Sequence, residues 1–378
     1  MASWLRSLSQ LRSLRAQITL HPSLFTALSE LPLLDRLELN SIEDTGKYPH
    51  TIPDTKSSLL LPSCFPSLWR LSIEGRSSTF IPHVMLLQTL GHSRSLILIC
   101  LGVQIASYGP AELTALFEAL SHISSVESLD LNISAPDSSE RTAGEELALT
   151  GKLWSFLLPL HHLRRLDLNV NFPITIEDQD LHSAAIAWPH LRKIELSPIN
   201  LTQGNFLRRP RITLVGVQAL YNRCAYLNKI SICINSSLPT VRRDNSGRSV
   251  QVLDLPAPNN AWRMRKNTEK WLTLGIILKS PLPWWEMSSH HSDVVAQTFA
   301  LATRFMMPHI NCFGANDDQE SYSSWTEGVA RYWGGGQSMN QSDIRALLDQ
   351  LWPTARSYIN GASYDSDDDA PDDGNSGD

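Results

Sequence analysis

The sequence predicts an α/β fold: a solenoid of irregular strand-helix repeats with a parallel concave sheet, ended by a C-terminal helical cap and a disordered acidic tail. Three observations predict it. A short phrase, apolar-x-x-apolar-x-apolar, recurs through most of the 378 residues. Segments with apolar residues three and four apart, the spacing of one helix face, separate its copies. The acidic excess is confined to the last 18 residues, which hold seven Asp and no Lys or Arg. A unit of one strand and one helix leaves a strand edge and a helix face uncovered, so its copies must stack.

Taken in order, the phrase starts faintly at Leu11 and becomes clear at Leu34-Asp-Arg-Leu37-Glu-Leu39 and Leu68-Trp-Arg-Leu71-Ser-Ile73. It continues through Leu96-Ile-Leu-Ile99-Cys-Leu101, Val126-Glu-Ser-Leu129-Asp-Leu131 and Leu163-Arg-Arg-Leu166-Asp-Leu168, and then Leu191-Arg-Lys-Ile194-Glu-Leu196 and Leu227-Asn-Lys-Ile230-Ser-Ile232. Fainter copies start at Val250, Trp271 and Met307. The seven clear anchors lie 28 to 37 residues apart, longer than the usual 20–29 of a leucine-rich repeat, which long connections account for. Between the phrases, Ala111 to His122 and Glu145 to Leu157 have the clearest helical spacing, with weaker helices over Pro82–Leu90, Gln179–Ala187, Leu214–Cys224 and Asp293–Met306. Phe65-Pro66 and Trp188-Pro189 lead into two of the strands, because the residue before proline is pushed out of the helical region.

Towards the C-terminus, Ser342 to Trp352 reads as a helix with Ser342 as N-cap and Asp343 in its first turn, where a carboxylate is favoured. Beyond Tyr364 the chain is too charged and too poor in apolar residues to offset its ordering entropy. The organisation that follows is a solenoid over 1–313, with clear repeats over 31–235 and weaker ones on either side, a helical cap over 314–360 and an acidic tail over 361–378. Ser366, set among Asp residues, suits an acidophilic kinase, although plain solubilisation explains the tail as well.

The Leu-x-x-Leu-x-Leu strands after Phe-Pro or Trp-Pro, with connections of uneven length, resemble the repeat portion of the fungal F-box/leucine-rich-repeat family. Leu274-Gly-Ile-Ile-Leu-Lys-Ser-Pro281, the run from Val294 to Ala302, and Met307-Pro-His-Ile are similar to that family's late repeats. The resemblance spans roughly residues 8 to 313. It implies a non-catalytic substrate-recognition surface, with ubiquitin-ligase components as partners if an F-box is supplied elsewhere. The family's F-box is an N-terminal helical module of about 45 residues. Here the first repeat starts by Leu11, and Leu31-Pro32 runs straight into a strand, so the scaffold-docking residues have no counterpart. One alternative is therefore a truncated F-box protein. Another is a GTPase activator, since Ran-GTPase-activating proteins combine such repeats with an acidic tail; their fixed Asn is met here only at Asn40, Asn132 and Asn169.

Within each strand, alternation sends the residues between the apolar anchors to the opposite, exposed face. They form columns: acidic Glu38, Asp130, Asp167, Glu195 and Asp254; basic Arg36, Arg70, Arg165, Lys193 and Lys229; and the Asn column. The candidate protein-binding residues on the concave face are accordingly Arg36, Glu38, Arg70, Asp130, Arg165, Asp167, Lys193, Glu195 and Lys229. The bland alternative is that Arg36 with Glu38, Arg165 with Asp167, and Lys193 with Glu195 only neutralise each other, at about 0–1 kcal/mol per exposed pair.

Composition narrows the partners. Without the tail the chain carries 32 basic against 31 acidic residues, so the tail produces the whole net −6. A nearly neutral body argues against nucleic acid and against an anionic membrane. The N-terminal apolar residues are broken by Arg, unlike a secretory signal, and five scattered Cys without a C-x-x-C pair suit reduced thiols. A cytoplasmic or nuclear location is expected, with the glycosylation sequons idle. No cofactor or metal is expected. Gly91-His-Ser-Arg-Ser95 lacks the last Gly of a nucleophile elbow, Gly151-Lys152 lacks a phosphate-loop frame, and Trp333-Gly-Gly-Gly336 reads as a turn. His161-His162 and His290-His291 lack a third ligand, and Trp284-Trp285 reads as a loop plug or a partner anchor. No catalytic trio emerges, so the expectation is no enzyme.

Overall fold

The computed structural model describes residues 7–18, 22–41, 65–77, 81–91, 93, 95–105, 110–134, 147–198, 211–235, 240–243, 250–253, 272–279, 297–303, 306, 310–314, 344, 346–351 and 355. Strand β1 (Ser13–Ile18) is followed by helix α1 (Pro22–Ser29), β2 (Arg36–Ser41), β3 (Arg70–Ser77), α2 (Ile81–Leu90), β4 (Leu98–Ile105), α3 (Pro110–Ser121) and β5 (Ser128–Ser134). Then come α4 (Gly151–Ser155), β6 (Arg165–Val170), α5 (Asp178–Ala187), β7 (Lys193–Pro198), α6 (Leu214–Arg223) and β8 (Lys229–Asn235). The last strands are β9 (Thr240–Arg243), β10 (Val250–Leu253), β11 (Leu272–Lys279) and β12 (Ile310–Gly314).

Ten of these strands form one parallel sheet whose order, β1 to β8 and then β11 and β12, is the order of the chain. The register is that of the recurring phrase. Leu14, Leu37, Leu71, Ile99, Leu129, Leu166, Ile194, Ile230 and Leu274 are consecutive partners across β1 to β8 and β11. From Leu37 to Ile230 this row is buried, together with the row two residues on, Leu39 to Ile232. These rows pack in one continuous core with the apolar faces of α1 to α6, so among the described residues the sheet has a helix-covered face and an open one.

A repeated hydrogen-bond device pins that register where each strand begins. The Asp35 carbonyl accepts from both Trp69 and Arg70, the Trp69 carbonyl from Ile97 and Leu98, and the Ile97 carbonyl from Glu127 and Ser128. The pattern continues through Glu127, Arg164 and Arg192 to Lys229. The serine before the first anchor adds a side-chain clasp to the preceding unit: Ser67 donates to Pro32 O (2.7 Å), Ser95 to Leu68 O (3.0 Å) and Ser125 to Leu96 O (2.7 Å). Each satisfies a carbonyl that has no sheet partner. Buried Phe65, ahead of Pro66, adopts φ 55°, a conformation rare for a bulky residue, and donates its N–H to Ser29 O.

Two expectations are corrected. The phrase at Val250 is no rung of the ladder, because β10 pairs antiparallel with β9 in a separate two-stranded sheet. The helix expected from Glu145 begins only at Gly151. Leu149 makes a parallel bridge to Ile174, and Thr150 caps the helix by accepting from Leu153 N–H. Helix α1 has no counterpart among the sequence-derived helices. The faint copies at Leu11, Trp271 and Met307 supply β1, β11 and β12, all parallel members of the large sheet. The acidic tail, Trp284-Trp285, His290-His291, Trp333 to Gly336 and Asp254 lie outside the described residues. Among the described residues no helix is long and apolar enough to cross a membrane.

Candidate functional site

The parallel register turns the sequence columns into rows on the open face. Arg36, Arg70, Leu98, Ser128, Arg165, Lys193 and Lys229 are successive partners from β2 to β8. Two residues further along each strand, the row is Glu38, Ser72, Cys100, Asp130, Asp167, Glu195 and Ser231. The next row is Asn40, Glu74, Gly102, Asn132, Asn169 and Ser197. All nine residues expected on this surface are thus on one face, in two adjacent rows.

Charges at the two ends of the rows are mostly committed. Lys193 Nζ lies 3.1 Å from Asp167 Oδ2 and 3.0 Å from Glu195 Oε2, and Lys229 pairs with Glu195 Oε1. Asn169 donates to Asp167 Oδ1 at 3.2 Å. Glu38 holds Arg70 (3.7 Å) and Arg15 (3.9 Å). The neutralisation expected for Lys193 with Glu195 is present. That expected for Arg36 with Glu38 and Arg165 with Asp167 is not: Arg36 pairs with Asp35 at 3.8 Å and lies 5.1 Å above the Trp69 ring, and Arg165 has no ion pair among the described residues. Side chains two apart on a strand are separated by about 6.6 Å, whereas adjacent strands lie about 4.8 Å apart, so pairing runs across strands as readily as along them.

The electrostatics follow from this packing. Burial opposes the Lys193 charge, but hydrogen bonds to Glu195 and Asp167 outweigh it and raise its pKa. Burial also works against the Glu195 charge, yet hydrogen bonds from Lys229 and Lys193 hold its carboxyl below the usual range. Asp167 goes the other way, raised by burial and by Glu195 at its side against Lys193. Asp130 is raised by burial, opposed by Lys193 and reinforced by Glu195 and Glu74. Among the described residues it has no cation at ion-pair distance.

Between the two ends, over β3 to β5, the face carries a groove of about 590 Å³ lined by residues that include Glu74, Gly75, Cys100, Gly102, Asp130 and Asn132. Sequence reasoning singled out Asp130 and noted Asn132 but missed the groove. Its signal was there: in the β4 phrase, Cys100 and Gly102 occupy the slots held by acids and Asn in neighbouring copies. Gly75, at φ 126°, takes a backbone conformation that side-chain-bearing residues rarely adopt. Among the described residues no group of three or more His, Cys, Asp or Glu stands where it could hold a metal ion, and Cys100, Cys224 and Cys233 form no disulfide there. Neither a scan against protein-family models nor a search of curated proteins gives a match for this chain.

Proposed function

We propose that this chain is a non-catalytic, intracellular protein-interaction protein, a leucine-rich-repeat solenoid whose open sheet face receives a partner. In this reading it acts like the substrate-recognition half of F-box adaptors, with recruitment of a ubiquitin ligase depending on an F-box supplied elsewhere. A helical cap over 314–360 and a solvating acidic tail over 361–378 belong to the same reading. The observation that carries it is the face itself: rows of mostly polar side chains in register over seven successive strands, with no helix packed on them among the described residues. Extended surfaces of this kind suit a protein segment lying across the strands, with charge setting orientation and rate more than affinity.

Site-specific photo-cross-linking tests it. A benzophenone amino acid placed at exposed Asn132 or Arg165 on the open face, or at exposed Glu118 or Gln179 on the helix layer, is activated in cells expressing the full chain. The expected result is the same cross-linked partner from both open-face positions and none from the helix layer. Cross-links confined to Glu118 and Gln179 would place binding on the helices and overturn the reading.

A further inference from the structure

Just ahead of the strands, hydrogen bonds align one further row, in which Trp69, Ile97, Glu127, Arg164 and Arg192 follow one another from unit to unit. It runs beside the first row of the open face, where Leu98, Ser128, Arg165 and Lys193 are successive partners. The character of both rows changes along their length. At β4 they are apolar: Ile97 is 41% exposed, and Leu98 and Trp69 beside it are half-buried. Leu98 stands in the slot that β2, β3, β6, β7 and β8 fill with Arg or Lys. An apolar pair in that place is no part of the core, and neighbouring apolar side chains left in water are what contact surfaces use.

At β6 and β7 the same two rows are basic. Arg165 and Arg192 are exposed, and neither has an ion pair among the described residues. The cations around them are committed: Arg164 holds Glu127 at 3.2 Å, Lys193 holds Asp167 and Glu195, and Lys229 holds Glu195. The turns that feed β6, β7 and β8, residues 156–164, 188–192 and 224–228, are described throughout and contain no Asp or Glu. They bring no carboxylate to the two guanidiniums. Between the apolar and the basic end, β5 places Glu127, which Arg164 already holds, and Ser128.

We propose that these rows receive an extended segment of a partner protein running across the strands, with a large apolar side chain on Ile97 and Leu98 and an Asp or Glu against Arg165 and Arg192. This deepens the proposed function and rests on it. Strand spacing fixes the register. β4 lies two strands from β6 and three from β7, about 10–14 Å at about 4.8 Å per step, a span that three or four extended residues at about 3.3 Å each cover. The apolar and acidic side chains of the segment therefore stand three or four positions apart. Charge complementarity selects the acid. A basic segment would meet Arg164, Arg165 and Arg192 as like charges, and a wholly apolar one would desolvate Arg165 and Arg192 with nothing to compensate. The apolar side chain supplies the buried contact, and the acid sets which way the segment lies.

Phage-displayed random dodecapeptides selected on the immobilised full chain test this, with the best enriched sequence remade as a labelled peptide for fluorescence anisotropy. The expected consensus is Leu, Ile, Phe or Trp with Asp or Glu three or four positions away. The double change Arg165→Gln and Arg192→Gln is expected to weaken the peptide roughly tenfold or more, as loss of a charge-assisted contact does. Ile97→Ser is expected to weaken it roughly fivefold, and moving the acid next to the apolar residue to cost about as much as the double change. Ile97, Arg165 and Arg192 are all exposed, so these variants keep the fold. Glu118→Gln, on the helix layer, leaves binding unchanged. A consensus without the paired apolar and acidic residues, no enriched sequence, or a peptide indifferent to the double change overturns the proposal. So does displacement of the peptide by an equal concentration of random single-stranded RNA. The broader reading of the face is judged apart from this, by whether Asn132 cross-links a partner in cells.

Discussion

Asp130 illustrates how a side chain can be read correctly as surface and still be misjudged in energy. Its place in an acidic row follows from alternation along the strand. Its environment does not, because burial acts on it together with Glu74 from β3 and Lys193 and Glu195 from β7, each two strands away. With its folded pKa raised above the ordinary aspartate value of about 3.9, the native state holds more protons than the unfolded one in the interval between the two values. Stability therefore falls as pH rises through that interval. Asp167 acts in the same sense, and Glu195, with a lowered pKa, in the opposite sense at lower pH. The groups facing Asp130 on this side are Cys100 and Glu74 from β4 and β3, and Asp167, Lys193 and Glu195 from β6 and β7. Asp130→Asn removes one falling contribution. It is expected to raise stability at pH 7 by less than about 1 kcal/mol, because the side chain remains partly in water, and to leave stability at pH 3 unchanged. Urea unfolding at the two pH values measures this; a variant less stable than the parent at pH 7 would contradict it. The pairings were less legible than the rows. Lys193 serves Asp167 and Glu195 together, a choice fixed by strand spacing that no single phrase of the sequence contains.

Among the elements, strands were legible because three anchor residues at fixed spacing define each one, and the anchors bury fully once the copies align. Helices were less so. The run from Glu145 has helical spacing, but Thr150 accepts a hydrogen bond from Leu153 N–H and starts the helix late, while Leu149 is taken by the bridge to Ile174. The Val250 phrase has the right residues and the wrong neighbour, since an antiparallel partner, β9, lies seven residues before it. The junction of α5 and α6 is a contact that periodicity could not foresee. Asp178, the first residue of α5, accepts from Thr213 N–H and Thr213 Oγ1, each at 2.6 Å, and Thr213 is the N-cap of α6. The helices come so close that a Cβ at Gly216 would lie 2.5 Å from Asp178 Oδ1 and 3.0 Å from Asp178 Cα. In an open helix, Gly→Ala stabilises by about 1 kcal/mol. Here Gly216→Ala is expected to destabilise by about 1–3 kcal/mol, as overpacking does in a closed site, because the backbone atom cannot swing aside. A thermal melt of the purified variant checks the sign; a rise in midpoint would mean the two helix ends have room to separate.

For the whole molecule, the order of strands in the sheet repeats the order of the chain, so nearly every unit is stabilised by the two units beside it in sequence. In such an array, stability is close to a sum of unit terms and neighbour interfaces, and the cost of the same truncation should depend on where in the array it falls. Leu166 on β6 is fully buried, with Leu129 and Ile194 on either side in its row. Leu14 on β1 is partly buried, and Leu37 is its row neighbour on β2. Exposed Arg12, just before β1, and exposed Arg15, on it, flank Leu14 at one edge of the described sheet, charges of the sort that discourage further strand addition. Leu166→Ala is expected to cost about 2–5 kcal/mol, the range for emptying a closed core site. Leu14→Ala should cost about 1 kcal/mol or less, since part of that side chain already meets water. Hydrogen exchange should grade in the same order, with amides of β1 exchanging well before those of β5 to β7. Unfolding curves and exchange rates on both variants decide between two kinds of molecule: a graded loss fits a chain of neighbouring units, whereas equal costs and uniform protection would require the sheet and its helices to melt as a single cooperative block, with no local term for a partner on the open face to exploit.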